Sequence, residues 1–150
     1  MALIQIPARH HDRYPTAGLN PAQVVAVYRL PVISDGTLVA LNARDPKPAD
    51  GSAHGRVRTL VWTAPLAVVL SDLAAAGTTL VPVELVHVTE GTPVDHHVNP
   101  AAIVAVQPLA TGNGRVWLTN GEDLFVTAAA LQVLAAQLTA PAAAVAAGTI

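Results

Sequence analysis

The chain has no cysteine, so disulfide bridges and thiolate metal sites are excluded. Charge is scarce. Asp, Glu, Lys and Arg make up 12% of the residues, about half the usual share, and Lys47 is the one lysine. Phosphate contacts dominate nucleic-acid affinity, and no basic stripe is visible in the order of residues, so nucleic acid is not an expected partner. No stretch approaches the roughly 18 uninterrupted apolar residues of a membrane span, so no membrane partner is expected either. The start, Met1-Ala2-Leu3-Ile4-Gln5-Ile6, lacks the charged segment and long apolar run of a signal peptide.

Apolar residues are plentiful, at 52% of the 150 residues, and a packed core is therefore expected. A surface so poor in charge would be weakly soluble if fully exposed, which implies cover by other copies or by a partner. One string is nearly repeated. Residues 19–30 (LNPAQVVAVYRL) return as residues 98–109 (VNPAAIVAVQPL), with seven of twelve aligned positions identical. Leu60-Val61-Trp62-Thr63-Ala64 is echoed by Leu124-Phe125-Val126-Thr127-Ala128. The order of parts predicts an internal duplication, and repeated small units usually build scaffolds and interfaces.

Residues 2–6 read as a strand stopped by Pro7. Gln23 to Leu30, Thr37 to Asn42 and Arg56 to Trp62 read as further strands, joined by Ser34-Asp35-Gly36 and by a long loop from Arg44 to Gly55 that carries much of the charge. Thr63 is placed as an N-cap, and Leu66, Val69, Leu70 and Leu73 share one helical face ended by Gly77. Thr79 to Thr89 is one strand or a pair broken at Pro82. Ala101 to Gln107, Arg115 to Thr119 and Asp123 to Val126 follow as strands. Asn120-Gly121 is read as a type I′ hairpin turn. Thr127 caps a last helix that Pro141 ends. The expected fold is α+β, mostly β, with two similar β-sheet units each followed by a short helix. The expected divisions are residues 1–77, with a long inserted hairpin loop at 43–58, residues 78–140, and an apolar tail at 141–150. The expected core includes Val25, Val27, Leu66, Leu70, Val104, Val106, Leu131 and Leu134, and Trp62, Trp117, Tyr28 and Phe125 are read as core or interface anchors.

Val83 to Val88, Asn99-Pro100, Ile103, Asn120-Gly121, Val126 and the helix from Thr127 to Leu138 together resemble the FlbD/SwrD-like flagellar and swarming-motility family. That family is not known to be enzymatic, so the resemblance implies a compact antiparallel sheet with one helix and no catalytic residues. The same succession of strand, turn, glycine-containing hairpin and helix also resembles the LytTR-type DNA-binding domain.

His10-His11 and Asp95-His96-His97 are the constellation that could hold zinc or nickel. Adjacent histidines on extended backbone point apart, so they are read as solvent-exposed loop residues with no required metal. The carboxylates are scattered without acid–base spacing, and no serine has nucleophile-elbow flanks. No enzyme and no cofactor is expected. The leading expectation is a structural protein of a bacteriophage virion, such as a capsid decoration or head or tail accessory protein. The alternatives are a motility-type regulatory or adaptor module of the bacterial cytoplasm and, third, a LytTR-like DNA-binding regulator. The expected partner-binding residues are Ala43, Arg44, Pro46, Lys47 and Pro48 of the long loop, and Ala142, Val145 and Ile150 of the tail.

Overall fold

The computed structural model describes residues 3–9, 16–44, 55–86 and 92–148, with side chains along the last helix as far as Leu138. The strands in chain order are β1 (Ile4–Arg9), β2 (Thr16–Leu19), β3 (Val24–Arg29), β4 (Thr37–Arg44), β5 (Val57–Trp62), β6 (Val81–Pro82), β7 (Val94–Val98), β8 (Ile103–Pro108), β9 (Gly114–Leu118) and β10 (Asp123–Val126). Helix α1 spans Leu66–Ala75 and α2 spans Ala128–Gly148. The fold is α+β and mostly β. A seven-stranded sheet runs in the order β2-β1-β5-β4-β3-β7-β6, and a three-stranded sheet in the order β10-β9-β8. The paired strands are antiparallel throughout.

Strand β3 lies inside the large sheet, and its β-branched run Val24-Val25-Ala26-Val27 is buried on both faces. Val24 and Val27 join Ile6, Val39, Trp62 and Leu73 in one core, which α1 covers with Val69 and Leu73. Val25 and Ala26 join Val98, Val116, Val126 and Leu134 in a second core between the two sheets and α2. A bulge lets the neighbours Val25 and Ala26 share that side, because the pairing with β4 steps from Val24↔Leu41 to Ala26↔Ala40.

Local chemistry accounts for most of the boundaries, with some departures from expectation. Pro7 does not stop β1. It sits where the strand leaves β2 for β5, and its carbonyl accepts from both the backbone N–H (2.8 Å) and the hydroxyl (3.0 Å) of Thr63. Thr63 is therefore not the cap of α1. Pro65 precedes that helix, with no side-chain cap bond. Gly77, at φ +95°, closes α1 while the Thr78 N–H donates to the Leu73 carbonyl at 2.8 Å. Thr127 does cap α2, its Oγ accepting from the Ala130 N–H at 3.2 Å. That helix runs through Pro141 to Gly148. The proline removes one backbone donor, and the flanking alanines have the highest helix propensity. The Asn120-Gly121 turn is not type I′. Among the described non-glycine residues only Asp95 has positive φ, whereas Gly121 has φ +86°. The Gly121 N–H donates to the Leu118 carbonyl and the Leu118 N–H to that of Glu122, which makes a three-residue loop with a glycine bulge.

The expectation of a tandem duplication is corrected by the strand order. The two Asn-Pro segments lead into different settings: β3 is paired on both sides, with β4 and β7, whereas β8 pairs with β9 alone among the described strands. Strands β6 and β7, from the second half of the sequence, complete the sheet of the first half. Of the expected core, Val25, Val27 and Leu134 are buried, while Leu66, Leu70, Val106 and Leu131 are half-buried against it. Val104 is 65% exposed, because it is the bulged residue of β8 on the solvent side of the small sheet.

Candidate nucleic-acid interface

Strand β5 antiparallel to β4, and β1 antiparallel to β5, send two connections to the same end of the large sheet. Arg44 closes β4 opposite Val57, while Arg56 and Arg58 flank Val57 and are exposed. Alternation puts Arg56 and Arg58 on one face of β5, in line with the core residues Leu60 and Trp62. Strand β1 ends at Arg9 opposite Val61 and heads toward the same end.

Arg44 ties this end to the small sheet. Its Nε donates to the Asn120 carbonyl, and its Nη1 to the Gly55 carbonyl at 2.7 Å. The guanidinium lies over Gly121, where a Cβ would come within 2.8 Å of it, so the glycine serves both the turn and this approach. Asn120 is buried and held in turn, with Oδ1 accepting from the Glu122 N–H at 3.0 Å and Nδ2 donating to Glu122 Oε1 at 3.1 Å.

Charge is unevenly spread along the sequence. Between residues 44 and 58 the sequence has four cations against two carboxylates, and the rest of the chain has four cations against eight carboxylates. Two arginines elsewhere face carboxylates: Arg29 contacts Asp95 at 2.6 Å, and Arg115 contacts Asp123 at 2.5 Å. Arg44 directs its donors to carbonyl oxygens instead, those of Asn120 and Gly55 among the described residues.

Of the expected partner-binding residues, Ala43 and Arg44 are exposed at the end of β4. Ala142 and Val145 lie on the backbone of α2, and Pro46, Lys47, Pro48 and Ile150 lie outside the described residues. His10 and His11 also lie outside them. His96 and His97 are on β7, not in a loop; His96 is buried and His97 half-buried. The spacing Val94-His96-Val98 is the signal that betrays this strand. Among the described residues no three His, Asp or Glu side chains converge as a metal would require. Trp62 is core and Tyr28 packs against the other core, between the two sheets and α2, but Trp117 and Phe125 turn outward, with the Arg115 guanidinium 5.1 Å and 5.7 Å from their ring centres. No described helix is long and apolar enough to cross a membrane.

No family model and no curated protein matches the chain. Among solved structures it is similar to a LytTr DNA-binding domain from Bacillus cereus, with a TM-score of 0.56 and 12% identity. The likeness covers 93% of this chain and 98% of that one. Three expectations are corrected by it. The likeness spans nearly the whole chain as one fold, which supports neither a doubled unit nor the FlbD/SwrD-like family. The virion reading finds no support, since the neighbour is a DNA-binding domain and not a structural component of a particle. The exclusion of nucleic acid also falls. It rested on charge averaged along the chain, and averaging hides the cations that β4 and β5 bring to one end of a sheet.

Proposed function

We propose that the chain is a non-catalytic DNA-binding module of LytTr-like fold, acting in the bacterial cytoplasm. The observation that supports this most is the likeness to a DNA-binding domain over nearly the full chain. The charge distribution selects one end of the large sheet: the end of β4 and β5, with Arg56 and Arg58 on one face and Arg44 on the other, would lie against the phosphate backbone. The acidic remainder of the chain would turn the opposite surfaces away from DNA. Contacts of this kind position a protein on the duplex but carry no sequence information.

Fluorescence anisotropy of a labelled duplex across a salt series tests the proposal. About four neutralised phosphates should give a slope of log affinity against log salt near −3.6. Replacing Arg56 and Arg58 together by alanine should reduce that slope by about two, with the melting temperature unchanged. Absence of binding at low salt, or a slope indifferent to the double substitution, would refute it. The outward face of the small sheet, where Val104 and Phe125 are exposed, favours a second reading as a protein-docking adaptor. That reading predicts no salt-dependent DNA binding at all.

A further inference from the structure

We infer that the groove between β6, β7 and the start of α2 binds a small organic cation carried on an apolar body. The groove is open to solvent on one side and offers about 490 Å³, within the usual range for ligand pockets. Val83, Leu85, Val94, Ala130 and Val133 form its apolar walls. It lies away from the basic end. Arg44 is beyond Leu41, which pairs with Val24 at the beginning of β3, whereas Arg29, at the end of β3, pairs with Val94 beside the groove.

Two features of β7 point to a ligand. The first is His96, which lines the groove, is only 7% exposed and stacks on Tyr28 with ring centres 4.8 Å apart and planes 9° from parallel. Its Nδ1 is buried and has no hydrogen-bond partner. Buried polar atoms are nearly always paired, so this one calls for an explanation. The second is a bulge. The pairing with β3 steps from Val27↔His97 to Arg29↔Val94, which leaves Asp95 and His96 opposite Tyr28 alone. Bulges re-aim side chains beside functional sites. Asp95 takes φ +53° there, a left-handed backbone in a residue other than glycine, and is held by Arg29 with Nε at 2.7 Å.

The lining sets the chemistry of the ligand. Glu84, Asp95, His96 and His97 line the groove, and among the described residues no lysine or arginine does. Arg29 already matches Asp95, which leaves the exposed Glu84 carboxylate as the unmatched charge. Burial pulls the His96 pKa down to about 4, so its ring is neutral at pH 7 and adds no repelling charge. A carboxylate over an apolar wall suits a protonated amine on a hydrocarbon body, and it disfavours an anion of the same size.

Titration of the full chain with 2-phenylethylamine, against 3-phenylpropionate as the charge-reversed control, tests the inference by amide NMR shifts. The amine should shift Val83, His96 and Ala130 saturably, and the carboxylate should not. Glu84→Gln should weaken the amine by roughly threefold to fivefold, as befits an exposed ion pair. Val133→Arg, at a position of α2 that is 48% exposed, should leave the fold intact and abolish binding. Equal shifts by both probes, no shift by the amine, or undiminished binding to Val133→Arg would overturn it. Because the titration omits DNA, its failure leaves the DNA-binding proposal untouched, and the converse also holds.

Discussion

Strands β3 and β8 begin from nearly the same string and end in opposite environments. Each follows an asparagine whose side chain accepts from the N–H two residues on, Ala22 onto Asn20 at 3.1 Å and Ala101 onto Asn99 at 3.0 Å. Each passes through a short 3₁₀ turn opened by proline and then a bulge at the second strand residue. Yet the bulged residue is Val25 in one, 1% exposed, and Val104 in the other, 65% exposed. The backbone path is thus encoded within about ten residues, because asparagine and proline act on their own neighbours. Burial is decided elsewhere, by which strands and helices arrive to cover each face.

Substitution of a charge should separate the two strands most widely. Val25→Asp would bury an unpaired carboxylate between the sheets and α2. The expected cost exceeds about 4 kcal/mol, enough to unfold a domain of ordinary stability. Val104→Asp should change stability by less than about 0.5 kcal/mol. Urea denaturation of both variants measures this. Similar losses in the two would mean that β8 is covered, and that the contrast drawn between the strands is wrong.

Features governed by neighbours in sequence were the legible ones. The β-branched run of β3, the helical face of α1, the glycine that ends it and the threonine that caps α2 follow from steric and capping rules acting over one turn. What needed the whole fold was not legible. Val104 looks like core because its string matches that of Val25, and only the strand order exposes it. The pair His96-His97 looks like loop until β7 is seen between β3 and β6, stacked on Tyr28. The basic end was hidden for the same reason. Arg44 and Arg58 are fourteen residues apart in sequence and come to the same end of the sheet only because β4 and β5 pair. Thr63 was misplaced as a cap because its true acceptor, the Pro7 carbonyl, lies 56 residues earlier.

Tyr28 and Gln107 occupy the same place in the two strings, and here the difference can be titrated. Gln107 is exposed, whereas Tyr28 covers His96. Burial lowers the His96 pKa from 6.5 to about 4, the nearby His97 adding to the effect. Between these values the unfolded chain binds the proton and the folded chain does not, so stability rises with pH. The contribution is complete above about 6.5 and is lost as the pH falls toward 4, amounting to about 3 kcal/mol. His96→Phe keeps the ring on Tyr28 and removes the titration. Its stability should therefore fall less than that of the parent between pH 7 and pH 4. Parallel curves for the two proteins would show that His96 is not buried against β3.

The two asparagines carry the smallest and most discriminating contrast. Both accept from the turn, but Asn99 does more. It is buried, its Nδ2 donates to the Val24 carbonyl at 2.9 Å, and its backbone N–H donates to the Val25 carbonyl at 2.8 Å. Through it the second turn is fastened to the bulge of β3. Asn20→Ala should lose the local bond alone, about 1 kcal/mol. Asn99→Ala should lose that bond and also leave the Val24 carbonyl unpaired, for about 2 kcal/mol. Aspartate separates the two roles, because it keeps the acceptor and removes the amide donor. Asn20→Asp should be nearly neutral, since asparagine and aspartate serve equally at such positions. Asn99→Asp should cost at least as much as Asn99→Ala, because a carboxylate would then face the Val24 carbonyl with no proton between them. If aspartate is tolerated equally at both sites in thermal denaturation, the tie between Asn99 and β3 contributes nothing. The two turns would then be equivalent in energy as well as in geometry.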